Sequence, residues 1–230
     1  MKPKRKTERK ATNMEFILAS LLIFTPVTYS IFGSNSDDLT VEATNLERVL
    51  VVKGAVDDEM ATKFTYKIDA ISRVKKKDKQ PIYVIINSPG GYVSSGLPMI
   101  SAVHMARSRG FEVHCVVPVK AASMALHLLN ACSHRYAFNN SMLLFHEMRI
   151  GLRGYLSPSE LDQISEQMKI LGEQIEADLI KNLGTTKEIF DRHNIGQTMW
   201  TGYTFNKTFP GFITIINDVK LPKEIPVFVE

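Results

Sequence analysis

The chain has 230 residues, 44% hydrophobic and 23% charged, enough for one ordinary domain with its own core plus a short extension. Its net charge of +4 does not mark a nucleic-acid binder: Lys2, Lys4, Arg5, Lys6, Arg9 and Lys10 against Glu8 place +5 in the first thirteen residues, leaving the rest near −1. Cys115 and Cys132 stand in no CxxC or Cys/His ligand spacing, which argues against a zinc site; each lies in an apolar setting and reads as a buried free thiol, with a disulfide as the alternative in an oxidising compartment.

A basic start followed by an apolar run with no charge from Phe16 through Ser36 has the form of a secretory signal or an uncleaved membrane anchor. The basic side would remain in the cytoplasm, so the rest is expected to face outward or be exported. The organisation read from the sequence is therefore a signal peptide or anchor at 1–33, a polar linker at 34–45, and a folded domain at 46–230.

Within that domain, 48–52 is a β-branched run ending at Gly54 and predicts a buried strand. Asp57 then precedes a helix with Met60, Phe64, Ile68, Ile71 and Val74 on one face, closed by a solvated lysine run at 75–79. A second strand at 82–86 runs into the turn Ser88, Pro89, Gly90, Gly91. A helix at 93–109, a strand at 112–117 and a helix at 121–131 follow. This alternation predicts parallel βαβ units with both sheet faces covered. A fourth strand is expected at 142–145. From Ser157, Pro158 and Glu160, a capping box, a long helix carries Leu161, Ile164, Met168, Leu171, Ile175 and Leu179 at steps of three or four, and it stops at Gly184.

Two turns stand where open α/β sheets place their chemistry, at the carboxyl ends of strands. The adjacent glycines 90 and 91 can direct backbone N–H groups into a cleft. Ser123 lies among small residues at a strand-to-helix junction, where the helix N-terminus favours developing negative charge. A serine nucleophile needs a base, and His146 at the end of the fourth strand supplies one. Taken singly, these features also read as a plain turn, a helix cap and a structural histidine.

Together and in this order they resemble the proteolytic subunit of the Clp protease. The strand and glycine turn through Gly91, the segment Ala121, Ala122, Ser123, Met124, and the segment from Asn140 to His146 carry the resemblance, which spans 46–218. It implies a crotonase-type fold: an α/β spiral of ββα units with mostly parallel strands and a protruding long helix, or handle. It further implies a homo-oligomeric ring, peptide or unfolded protein substrates and no cofactor. Proteolysis would proceed through an acyl-enzyme, with Ser123 as nucleophile, His146 as base, and the N–H groups of Gly91 and Met124 as the oxyanion hole.

The sequence departs from the family pattern in three places. Gln197 occupies the position of the family's acid, with Asp191 and Asn194 nearby, so Asp191 is the carboxylate candidate for the third catalytic member. Val119 and Lys120 replace a Gly-Gln pair before the serine, and Glu147 follows the histidine. Three other readings compete with the peptidase: an inactive scaffold or assembly subunit at the membrane, a Ser/Lys peptidase using Lys120 or Lys169, and an acyl-CoA enzyme of the same fold.

Overall fold

The computed structural model describes residues 40–43, 45–73, 80–151 and 154–221. The proposed signal or anchor at 1–33 and the lysine run at 75–79 lie outside the described residues. Among the described residues, no helix is long and apolar enough to cross a membrane.

The elements are β1 (Thr40–Glu42), a single 3-10 turn, β2 (Val49–Val56), α1 (Asp58–Ser72), β3 (Ile82–Gly91) and α2 (Val93–Ser108). There follow β4 (Val113–Val117), β5 (Lys120–Ala122), α3 (Met124–Ala131), β6 (His134–Ala137) and β7 (Met142–Leu144). The chain continues with α4 (Pro158–Leu183), α5 (Lys187–Ile195), β8 (Met199–Thr201), α6 (Gly202–Thr208), β9 (Thr214–Ile215) and β10 (Asp218–Lys220).

The strand β3 organises the sheet. Its first half pairs in parallel with β2 on one side and β4 on the other; β6 and β9 continue outward from β4, also in parallel. Beyond Ile86, β3 turns to pair with β5 at Ser88 and Ala121, and β7 joins β5 in parallel. Only the last neighbour, β8 on β7, is antiparallel. Strands buried on both faces require apolar residues at nearly every position, which is why Ile82, Val84 and Ile86 are fully buried together with Val113, Cys115 and Val117.

The helices form for the reasons read from the sequence. The Asp57 side chain accepts the Met60 N–H at 2.9 Å and caps α1, whose Met60, Phe64 and Ile68 enter the core. Ser157 and Glu160 form the expected capping box, and Gly184 ends α4 in the left-handed conformation, φ 63°. Of α4, only Leu179 and Leu183 are buried, near its C-terminal end; Leu161 and Ile170 are 44% and 49% exposed. The apolar stripe thus belongs to a helix that docks at one end. Phe145, Phe190, Trp200, Phe205 and Phe209 pack their rings 4.6 to 6.1 Å apart and anchor α5, β8 and α6 beneath β7.

Three local expectations change. Residues 88–91 are the extended end of β3, not a free turn, because β2 follows them through a register shift at Gly54, φ 92°. Ala121 and Ala122 belong to a strand held between β3 and β7, so the third helix starts after Ser123. Within the stretch read as linker, Thr40–Glu42 pairs in parallel with β10 and ties the start of the domain to its end.

The cysteines are the fourth change. Cys115 and Cys132 are both buried and joined in a disulfide across 17 residues, Cα–Cα 6.0 Å. The parallel pairing of β4 with β6 brings the two apolar runs side by side, a relation that spacing cannot show. For a loop of this size the bond should contribute about 3 kcal/mol. The double replacement Cys115→Ala and Cys132→Ala should lower unfolding stability by that order in a denaturant titration. Finding two alkylatable thiols in the unreduced, unfolded protein would contradict the bond.

Candidate active site

Ser123 sits between β5 and α3 with φ 53° and ψ −127°, a left-handed setting that is costly for a residue other than glycine. Its position is fixed from both sides. The Ser123 N–H donates to the Leu144 carbonyl at 2.9 Å, and its own carbonyl accepts from Leu126 in the first turn of α3. Ser123 is the N-cap residue of α3, as the sequence's helix-cap alternative has it, but its hydroxyl makes no capping hydrogen bond. The residue is half-buried at the helix start, on a tight strand-to-helix turn of the kind that carries serine in other folds.

The glycine strand lies directly against this turn. A Cβ on Gly90, φ 88°, would stand 2.5 Å from the Ala122 carbonyl oxygen and 2.7 Å from Ser123 Cβ. It would also stand 2.9 Å from the Met124 nitrogen, so the two backbones meet here only because residue 90 is glycine. At Gly91 a Cβ would run into the Val56 backbone. The backbone of Gly90, the residue before the expected oxyanion donor Gly91, thus lies against the Met124 nitrogen at the N-terminus of α3.

His146 reaches the same place by sheet register. Ala122 pairs with Leu144, so Ser123 and His146 leave adjacent parallel strands close together. Ser123, Met124, His127, His146, Ile175 and Glu176 line one small pocket. The Nδ1 of His146 lies 2.6 Å from the carbonyl oxygen of Glu147. A carbonyl can only accept, so Nδ1 carries the proton and Nε2 is left as the basic nitrogen.

The expected third members stand elsewhere. Asp191 is hydrogen-bonded to Lys187 one turn earlier on α5, and it borders a different cleft with Glu147, Lys169 and Asn194. Gln197 follows the end of α5 with φ 48°. Neither Asp191 nor Gln197 lines the Ser123 pocket, and neither do Lys120 and Lys169.

Two residues of the pocket were not anticipated. Glu176 comes from α4, where its carboxylate accepts the Asn194 side-chain N–H at 2.8 Å and faces Lys187 at 3.8 Å. Burial raises its pKa, and these partners oppose the rise. His127 lies one helical turn after Ser123, and its Nδ1 is shielded from solvent without a hydrogen-bond partner. The serine-plus-four spacing was the available signal for His127. No local signal marks Glu176, which arrives from a helix some fifty residues later in the chain.

The glycine-ended strand β3, the strained Ser123 and a histidine in the same pocket come together in a mostly parallel α/β fold. The chain belongs to the Clp protease family, whose model matches residues 33–201. The mostly parallel mixed α/β architecture is the crotonase-type fold of that family. It is 34% identical over 117 residues to an ATP-dependent Clp protease proteolytic subunit of Carsonella ruddii, covering 50% of this chain and 57% of the relative. It is 33% identical over 113 residues to proteolytic subunit 3 of Streptomyces avermitilis, covering 48% and 49%. With the proteolytic subunit of Streptococcus mutans the match is 28% over 142 residues, covering 61% and 70%. The chain thus spans about half the length of the first two relatives.

The site carries its own acid response. Burial, and secondarily the neighbouring His146, push His127 down to about 4. The unfolded chain takes up this proton near pH 6.5, while the folded protein resists it until about pH 4. Stability is therefore complete above about 6.5, falls as pH drops through that window, and levels off below it. The loss should be no more than about 3 kcal/mol, because the residue as a whole is only partly buried. His127→Phe should flatten this part of the stability curve between pH 7 and 4.5. Equal acid losses in wild type and variant would show that His127 is not the group responsible.

Proposed function

We propose that this protein is a serine peptidase that hydrolyses peptides or unfolded chains through an acyl-enzyme on Ser123. The observation that carries the reading is a strained serine, its hydroxyl free of any capping bond, sharing one pocket with a histidine whose Nδ1 is engaged by a carbonyl. His146 Nε2 takes the Ser123 proton as Oγ attacks the scissile carbonyl, and returns it to the leaving amine. The N–H groups of Gly91 and Met124 receive the negative charge that develops on the substrate oxygen. The Glu147 carbonyl orients the imidazole, which makes the site a Ser–His dyad completed by the backbone. Ile175 and Glu176 of α4 border the pocket beside the serine and histidine.

Assembly into a homo-oligomeric ring is part of this proposal. Its support is the family membership and the half-exposed apolar stripe of α4, which docks on its own domain only near the C-terminal end. An exported or membrane-tethered location is also proposed, on the basic and apolar N-terminal sequence and on a disulfide of the kind found in oxidising compartments. A reporter fused after Glu230 should then behave as non-cytoplasmic; a cytoplasmic reporter on a fully soluble protein would refute the location.

The chemistry is tested by casein and peptide-library cleavage. Ser123→Ala and His146→Ala should abolish turnover, and Ser123→Ala should change stability by about 1 kcal/mol or less. Asp191→Asn should retain nearly the wild-type rate, because the carboxylate is committed to Lys187. A fall of about 10⁴ in that variant would instead make Asp191 the orienting acid. Absence of cleavage and of fluorophosphonate labelling in the wild type would favour the scaffold reading.

A further inference from the structure

Ser123 follows the carboxyl end of β5. A second group of chemistry-bearing side chains gathers at the amino ends of β4 and β6. Their parallel register pairs His114 directly with His134, so both side chains leave the same face of the sheet. Glu112, two residues before His114, projects to that face as well. The imidazole centroids are 4.4 Å apart. One Glu112 carboxylate oxygen lies 3.2 Å from His114 Nε2 and the other 3.8 Å from His134 Nε2. One ligand atom from each of the three residues can be chosen so that all lie within 4.8 Å of one another.

We propose that Glu112, His114 and His134 bind one divalent transition-metal ion of the zinc class, leaving a fourth position for water or an incoming ligand. Two imidazoles and a carboxylate are a donor set that zinc accepts with three protein ligands and one open position. Metal–ligand bonds of about 2.0–2.2 Å in tetrahedral geometry place neighbouring ligand atoms about 3.3 Å apart. The two carboxylate–imidazole separations already bracket that spacing, so closure on an ion needs only small side-chain rotations.

The backbone beneath the cluster is held in advance. The Cys115–Cys132 disulfide joins the residue after His114 to the residue two before His134, linking the two ligand-bearing segments covalently. The buried rings of Tyr83 and Tyr136 flank His114 at 5.3 and 5.8 Å and restrict its imidazole. Ligands fixed before the ion arrives lose little conformational freedom on binding. Glu112 and His134 are 62% and 45% exposed, which leaves the ion a route from solvent.

Zinc titration of the full chain against a chromogenic indicator, with visible spectra of the cobalt-substituted protein, tests the site. The expected result is one equivalent of zinc and tetrahedral-type cobalt bands, with affinity falling about tenfold or more in Glu112→Gln and in His134→Ala. Both replaced side chains are exposed, and circular dichroism checks that the variants fold. Failure of the wild type to take up zinc would overturn the proposal. So would a Glu112→Gln/His134→Ala double variant that binds zinc with undiminished affinity, since the ion would then lie elsewhere, for instance at His146.

Discussion

Where β3 passes the turn after β5, two backbones come closer than any side chain permits. Gly90 rests against the Ala122 carbonyl and Ser123, and a methyl group there would overlap both. The rest of the site follows from that contact. It sets the glycine end of β3 against the serine and the first nitrogen of α3, and it helps hold Ser123 in a conformation it would not adopt alone. The opposite side is closed by the Ser123 N–H bonded to Leu144, so the strained residue is clamped between β3 and β7.

The same clamp explains how the histidine is positioned without a carboxylate. β7 pairs with β5 for three residues and then leaves the sheet, so the Glu147 carbonyl is released from ladder pairing and becomes available to the imidazole of its neighbour. A carbonyl orients the ring and fixes its tautomer but carries no full negative charge. It would stabilise an imidazolium less than an aspartate does.

α4 couples the site to the periphery. It reaches the pocket through Ile175 and Glu176, is buried at Leu179 and Leu183, and leaves its earlier apolar positions partly open. Glu176 in turn meets Asn194 and Lys187 of α5. A change in what packs along the exposed part of α4 would therefore be felt at this pocket.

Much of this protein was legible in its sequence. β-Branched runs with helical periods between them dictate parallel strands under helices, and Asp57, Ser157, Glu160 and Gly184 mark helix ends through local hydrogen bonding that needs no tertiary context. Ser123, His146 and the glycine pair could be singled out because each sits at the end of a recognisable element. Their convergence depends on register, which only the folded sheet fixes: Ala122 opposite Leu144, Ser88 opposite Ala121, His114 opposite His134. For the same reason the disulfide could be only one of two readings, and the Glu176 contact and the Glu112–His114–His134 cluster were invisible, since each joins residues from separate elements. The orienting carbonyl of Glu147 was hidden more deeply. Every residue has a carbonyl, and only the path of the chain after β7 decides which one meets the imidazole.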